Sequence, residues 1–222
     1  MRNTELSQAD RYIEGLYAEE DAGLRAIRER LVNADRWGIN IGANEGRLLQ
    51  LLLKMINAKT GVELGTLFAY SSVWMARALP VDGKLYTIER DHECVRQAKK
   101  GLEDCQVIER VEVLEGDASV LLQQLSVRAP FDFVFIDANK SAYVEYLQWA
   151  SAHVRKGGLI IADNTLLGGK LTENEKPDSV SRRQWTEMHK FNEVIKNDIG
   201  LFGTILPTTE GLTVALKVED SL

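Results

Sequence analysis

The chain has 222 residues, 45% of them hydrophobic, which suits one large or at most two small domains with a sizeable core. Its 27 Lys and Arg residues against 33 Asp and Glu residues give a formal charge of −6, which argues against a broad nucleic-acid surface and favours a small substrate. No apolar run approaches the roughly 18 residues needed to span a bilayer, so no membrane partner is expected.

Cysteine usage and the N-terminal sequence indicate the compartment. Cys94 and Cys105 do not form a CxxC pair, and the opening MRNTELSQADRY contains no apolar signal-peptide stretch. A reducing cytoplasm is therefore the expected location.

The first quarter of the chain has the pattern of amphipathic helices. From about Thr4 to Asn33, apolar residues recur at helical spacing in a polar background, which predicts one or two helices outside the main core. NEGRLLQLLLKMINA predicts a stronger helix with Asn44 at its N-cap. No repeat or linker interrupts the chain, so we expect one domain with an N-terminal helical part, residues 1–57, and a sheet-forming part, residues 58–222.

After residue 58, short apolar runs alternate with helical segments. Strands are predicted at 60–65, 84–89, 111–116, 131–137 and 157–163, with helices near 70–79, 91–103, 117–125 and 141–154. This alternation predicts an α/β fold with a parallel, doubly wound, Rossmann-like sheet. A further helix at about Ser181 to Lys196 precedes LFGTILP and GLTVALKV, and only TTE separates these two runs. Because that connection is too short for a crossover, the last two strands should pair antiparallel.

Five predicted strands carry an acidic residue at or just past the carboxyl end. They are Glu63, Glu89, Asp117, Asp137 and Asp163. In open α/β sheets ligands bind outside the carboxyl ends of the strands, so these side chains would line one rim suited to a cation or a polyhydroxyl ligand. The alternative for each position is that it caps the helix that follows.

The loop after the first predicted strand, ELGTLFAYSS, is where a dinucleotide-binding fold would have its glycine-rich motif. It lacks the G-x-G-x-x-G pattern, with Leu67 and Tyr70 where the second and third glycines would fall. A nicotinamide oxidoreductase is therefore disfavoured. Glu89 lies 24 positions after Gly65 and is placed to accept hydrogen bonds from ribose hydroxyls, which any adenosine cofactor offers.

Several motifs together carry a family resemblance. The stretches GANEGRLLQLLLKMINAKTGVELGTLFAYSS, LYTIERD, EGDA, FVFIDANKSAY, KGGLIIADNTLLGG and LPTTEGLTVALK occur in this order from about Ile39 to Lys217. They resemble the S-adenosylmethionine-dependent, metal-dependent O-methyltransferases of the caffeoyl-coenzyme A and catechol type, within class I of the methyltransferases. The resemblance implies a seven-stranded, mostly parallel sheet with an antiparallel last strand, a divalent metal and a homodimer.

The resemblance also implies a set of cofactor contacts. Glu63, Gly65 and Ser71 would lie beside the methionine part of S-adenosylmethionine, and Glu89 would hold the ribose. The remaining implied contacts are Asp117 and Ala118 beside the adenine, Ile41, and Asp137.

The same resemblance implies the metal ligands and a catalytic residue. Asp137, Asp163 and Asn164 would bind the metal, and three oxygen ligands suit Mg²⁺, Mn²⁺ or Ca²⁺ and not zinc. Lys140, three residues after Asp137, would take the proton of the attacking hydroxyl or stabilise the oxyanion electrostatically.

Three departures from the family pattern concern the substrate side. Asn139 stands where many members have an aspartate, and Leu167 stands where plant members have an aromatic residue that can stack on a phenyl ring. TTEG replaces the common GDG, which keeps an acidic residue, Glu210, and the glycine, Gly211.

Three functions follow as hypotheses. The first is transfer of a methyl group to a small hydroxylated aromatic with two adjacent oxygens. The second keeps the chemistry but takes tRNA as the partner, with 5-hydroxyuridine at the wobble position as acceptor; the negative net charge counts against it. The third, a non-catalytic adenosine-binding module, would be expected to lack the metal ligands or Lys140, and the chain retains both.

Overall fold

A computed structural model describes residues 7–219. The chain divides into two compact units, with the boundary between Leu121 and Leu122. The α-helices within the described residues are α1 (Gln8–Tyr17), α2 (Ala22–Asn33), α3 (Ala43–Met55), α4 (Tyr70–Ala76), α5 (His92–Asp104), α6 (Ala118–Leu125), α7 (Tyr143–His153) and α8 (Arg182–Asn197). The strands there are β1 (Thr60–Leu64), β2 (Lys84–Glu89), β3 (Val111–Glu115), β4 (Phe131–Ile136), β5 (Val154–Ala162), β6 (Leu201–Leu206) and β7 (Leu212–Lys217).

The predicted N-terminal helical segment forms α1 and α2. Ser7 caps α1 through a reciprocal pair of hydrogen bonds: its hydroxyl accepts from the Asp10 amide at 3.1 Å, and the Asp10 carboxylate accepts from the Ser7 amide at 3.0 Å. In α2 the spacing of Leu24, Ile27 and Leu31 places all three on the buried face. The start of the predicted segment, Thr4 to Leu6, lies outside the described residues.

The predicted N-cap of α3 is wrong by two residues. Gly42 is the N-cap, and the Glu45 carboxylate accepts its backbone N–H at 2.8 Å from inside the first turn. Asn44 lies within the helix and donates from Nδ2 to the Asp10 carbonyl at 3.2 Å. The sequence pattern favours Asn44 because its side chain is able to cap a helix. In the structure the N-cap residue is Gly42, and the capping group is the Glu45 carboxylate three residues later.

In the first unit the strands run parallel in the order β3-β2-β1. Each begins and ends within one residue of its predicted range. Val62, Leu64 and Leu85 are fully buried, as expected for parallel strands covered by helices. The backbone of α3 approaches α4 closely, because a Cβ at Gly46 would lie 2.4 Å from the ring of Trp74.

In the second unit the strand order is β4-β5-β7-β6. β4 and β5 are parallel, whereas β7 is antiparallel to both of its neighbours. The predicted antiparallel pairing of the last two strands is therefore confirmed. β5 begins at Val154, three residues before its predicted start.

None of the helices within residues 7–219 combines enough length with enough apolar character to cross a membrane.

Candidate active site

Glu63 is a buried acceptor of several hydrogen bonds in the first unit. It is fully inaccessible to solvent, and its carboxylate accepts hydrogen bonds from the hydroxyls of Ser71, Ser72 and Thr87, the last at 2.7 Å. Glu63 therefore fixes the start of α4 against β1 and β2. Of its hydroxyl partners, Ser71 remains partly exposed, whereas Ser72 and Thr87 are buried.

The loop after β1 turns sharply toward the end of β2. Gly65, Leu67 and Ala69 all have positive φ angles, of 96°, 50° and 67°. The Leu67 backbone N–H donates to Glu89 Oε2 at 2.9 Å. Leucine thus adopts the left-handed conformation for which glycine is usual, so the turn forms without the second glycine of a dinucleotide motif.

Glu89 is the last residue of β2, as predicted. Its Oε1 accepts the backbone N–H groups of Arg90 and Asp91 at 2.9 and 3.0 Å, and its Oε2 accepts that of Leu67. An ionised carboxylate can accept about four hydrogen bonds, so capacity for a hydroxyl donor remains beside these three.

The other predicted cofactor contacts of the first unit lie in two segments. Asp117 is exposed, follows β3, and accepts the Ser119 backbone N–H at 2.9 Å, so it also begins α6, as the alternative interpretation proposed. Ala118 is the first residue of α6. Ile41 is 1% exposed and lies just before α3.

In the second unit, two carboxylates follow neighbouring parallel strands. Ile136 of β4 pairs with Ala162 of β5, so Asp137 and Asp163 leave the sheet side by side. The Tyr143 hydroxyl joins the two strand ends by donating to the Asp163 carbonyl at 2.9 Å, with the Ile136 carbonyl at 3.3 Å. Tyr143 and Asp163 are fully buried, whereas the Asp137 side chain is 16% exposed.

Lys140 makes an ion pair with the first of these carboxylates. Its Nζ lies 2.8 Å from Asp137 Oδ1 and 5.4 Å from the centre of the Tyr143 ring. Burial lowers the pKa of Lys140, but the negative charge of Asp137 and the Tyr143 hydroxyl outweigh it, and the net pKa is raised. The ion pair with Asp137 therefore favours the charged form of Lys140.

Asn164 begins a tight turn directly after Asp163. Its φ is 61°, and its carbonyl accepts the Leu167 backbone N–H at 2.9 Å. The following residue, Thr165, is fully buried and accepts a hydrogen bond from the Thr213 hydroxyl at 2.8 Å. The turn is thus attached to β7.

Asp137, Asp163 and Asn164 would together offer a donor set suited to a hard cation. Two carboxylates and one amide supply oxygen ligands only, which suits Mg²⁺, Mn²⁺ or Ca²⁺. Within residues 7–219 no group of three or more His, Cys, Asp or Glu side chains is placed to hold a metal. A set with only two carboxylates and an amide is compatible with that finding.

Comparison with known proteins identifies the family. The family model described as O-methyltransferase matches residues 15–218. The chain belongs to the O-methyltransferase family. It is 38% identical to a catechol O-methyltransferase of Niastella koreensis over 209 residues, which cover 93% of this chain and 92% of the relative. It is 31% identical to a caffeoyl-CoA O-methyltransferase of Eucalyptus gunnii over 215 residues, covering 93% and 85%.

A solved structure extends the match to the fold. The O-methyltransferase TomG from Streptomyces achromogenes, crystallised in complex with SAM, is 33% identical to this chain. The two match with a TM-score of 0.89 over 96% of this chain and 97% of TomG. The predicted seven-stranded, Rossmann-like α/β fold is confirmed, as is the prediction that the protein is an S-adenosylmethionine-dependent O-methyltransferase.

Sequence reasoning missed several residues that support the predicted site residues. Ser72 and Thr87 hold the Glu63 carboxylate, and Tyr143 holds the ends of β4 and β5. The only sequence signal for the first two is a hydroxyl residue within or beside a predicted apolar element. That signal is too common to single them out.

Proposed function

We propose that the protein transfers a methyl group from S-adenosylmethionine to one hydroxyl of a small aromatic with two adjacent oxygens, and that it requires a divalent metal. The observation that carries this proposal is the juxtaposition of Asp137 and Asp163 on neighbouring strands, followed by Asn164 and accompanied by Lys140. The catechol and caffeoyl-CoA O-methyltransferases among its relatives support the substrate class.

Cofactor binding is assigned to the residues that the sequence singled out. Glu89 would accept the ribose hydroxyls, Asp117 and Ala118 would flank the adenine, and Ser71, positioned by Glu63, would contact the methionine part. Gly65 provides close approach of the backbone, and Ile41 and Asp137 complete the set. When bound, the cofactor supplies an electrophilic methyl group on a sulfonium.

Asp137, Asp163 and Asn164 would hold the metal. When bound, a divalent ion lowers the pKa of a coordinated hydroxyl and fixes its orientation. Lys140 would then face a dication, and its pKa would fall because like charges disfavour the charged form. Its Nζ can take the proton of the attacking hydroxyl as the oxygen–methyl bond forms and the sulfur–methyl bond breaks, or remain charged and stabilise the oxyanion.

We propose further that residues 1–222 act as one domain, that the enzyme is a homodimer, and that it is cytoplasmic. The family match from residue 15 to 218 supports the first statement. Exposed apolar side chains on α1, among them Tyr12, Leu16 and Tyr17, support the second, which sedimentation velocity would test. Two free, buried thiols, Cys94 and Cys105, support a reducing compartment, and localisation by fractionation would test it.

Radiolabelled S-adenosylmethionine tests the proposed reaction. The enzyme should label catechol or a caffeoyl ester, and guaiacol, in which one of the two oxygens is already methylated, serves as the matched control that should be labelled poorly. A chelator should abolish labelling, and added Mg²⁺ or Mn²⁺ should restore it. Labelling that survives chelation would contradict the metal requirement, and labelling of undermodified tRNA alone would establish the second hypothesis instead.

A further inference from the structure

Asn164 differs from the other proposed metal ligands because its amide has two unlike ends. The oxygen Oδ1 can bind a cation, whereas the Nδ2 group carries two donor hydrogens and cannot. A 180° turn of the amide would therefore place donor hydrogens where a ligand is needed. Some neighbouring group must select the orientation if Asn164 is to act as a ligand.

A contact with Glu210 selects the orientation of the Asn164 amide. Its Oε2 lies 3.4 Å from Asn164 Nδ2, slightly longer than the usual N–H···O distance of about 2.7–3.2 Å. An ionised carboxylate only accepts hydrogen bonds, so the Nδ2 end of the amide faces Glu210. The oxygen Oδ1 is then directed away from Glu210.

The backbone at Glu210 and Gly211 is hydrogen-bonded to the turn that follows Asn164. These bonds keep the Glu210 side chain next to the Asn164 amide. The Leu166 backbone N–H donates to the Glu210 carbonyl at 2.9 Å, and that of Thr165 donates to the Gly211 carbonyl at 3.0 Å. The Thr165 hydroxyl also donates to the Gly211 carbonyl, at 3.1 Å. The backbone of Glu210 and Gly211 therefore cannot shift without breaking hydrogen bonds to the turn that follows Asn164.

One glycine makes room for the arrangement. A Cβ at Gly211 would lie 2.5 Å from Leu166 Cγ, and φ there is 79°, so a larger residue would separate the segments. Gly211 therefore allows Glu210 to lie beside the turn that follows Asn164.

We propose that Glu210 is a positioning residue that orients the Asn164 amide so that its oxygen is presented to the divalent metal. Outer hydrogen-bond partners of this kind commonly change metal affinity ten- to a hundredfold. The inference rests on the proposed function, because it assumes that Asn164 is a metal ligand.

Mn²⁺ affinity, measured by electron paramagnetic resonance on the purified protein, tests the inference. Glu210→Gln keeps the reach but replaces an acceptor-only carboxylate with an amide that can face Asn164 through either of its ends, so the dissociation constant should rise. Glu210→Asp keeps the charge but withdraws the oxygen by one methylene, and the dissociation constant should rise about tenfold or more. If Gln weakens binding and Asp does not, Glu210 acts through its charge and the inference is wrong.

Repeating the Glu210 substitution in an Asn164→Asp variant shows whether its effect depends on the amide. In Asn164→Asp the two oxygens are equivalent, so adding Glu210→Asp should cost no further affinity. Equal losses in both backgrounds would overturn the proposal. Glu193→Gln, an exposed carboxylate on α8, is the control for surface charge and should leave Mn²⁺ affinity unchanged.

The outcomes separate this inference from the proposed function. Unaltered binding of S-adenosylhomocysteine by each variant shows that the variant is folded. If the wild-type protein binds no Mn²⁺, the proposed metal site and this inference both fail. If the wild type binds Mn²⁺ and Glu210→Asp binds it equally well, only the inference fails.

Discussion

Asp163→Asn is expected to lower kcat by at least about a hundredfold while leaving the affinity for S-adenosylhomocysteine within a few-fold of wild type. The substitution preserves volume at a fully buried position but removes the negative charge assigned to the metal. The Tyr143 hydroxyl bonds to the Asp163 backbone carbonyl, not to its side chain, so the link between the strand ends should survive. Turnover assays and titration calorimetry measure the two quantities.

The informative result is a loss of turnover without a loss of cofactor affinity. Apart from Asp137, the residues assigned to the cofactor lie in the first compact unit, whereas Asp163 lies in the second. Glu193→Gln should leave both quantities at wild-type values. Equal loss of turnover and cofactor affinity in Asp163→Asn would show that Asp163 supports the fold or the cofactor and not a metal.

Lys140→Met should lower kcat about 10²- to 10⁴-fold, the usual contribution of a general acid or base. Methionine keeps an unbranched apolar stem beside Tyr143 but loses the charge and the proton acceptor. If Lys140 is the base, wild-type kcat rises with pH until Lys140 is deprotonated in the loaded enzyme, and this rise disappears in Lys140→Met.

Lys140→Arg distinguishes the two roles proposed for the lysine. Arginine remains protonated at all accessible pH values. If Lys140 is a base, the Arg variant should be about as slow as the Met variant. If it stabilises an oxyanion, the Arg variant should retain much more activity. Wild-type turnover in Lys140→Met would exclude both roles.

The strands could be predicted well because the chain alternates clearly between apolar runs and helical segments, whereas their order in the sheet was not predicted. The antiparallel end of the sheet followed from a single fact, the short TTE connection between the last two apolar runs. The N-cap of α3 could not be predicted, because Gly42 has no capping side chain and Glu45 supplies the hydrogen bond from a position ordinarily read as helix interior.

The site was predictable at the level of strand ends but not at the level of hydrogen bonds. The acidic residues stand out because each follows or closes an apolar run, yet the sequence does not indicate which hydrogen bonds each of them makes. Glu63 is buried and accepts hydrogen bonds from three hydroxyls, whereas Glu89 accepts hydrogen bonds from backbone N–H groups. Leu67 stands where a dinucleotide motif has a glycine, and its backbone adopts the left-handed conformation that a glycine would supply. Such roles depend on contacts between distant segments, which a local pattern does not encode.

Anomalous diffraction from crystals soaked in Mn²⁺ with S-adenosylhomocysteine tests the central claim most directly. The expected result is one anomalous peak bound by oxygen atoms of Asp137, Asp163 and Asn164, at about 2.0–2.6 Å, the range for hard divalent ions. A map with no peak between these side chains, or with the three side chains directed away from one another, would contradict the proposed metal centre.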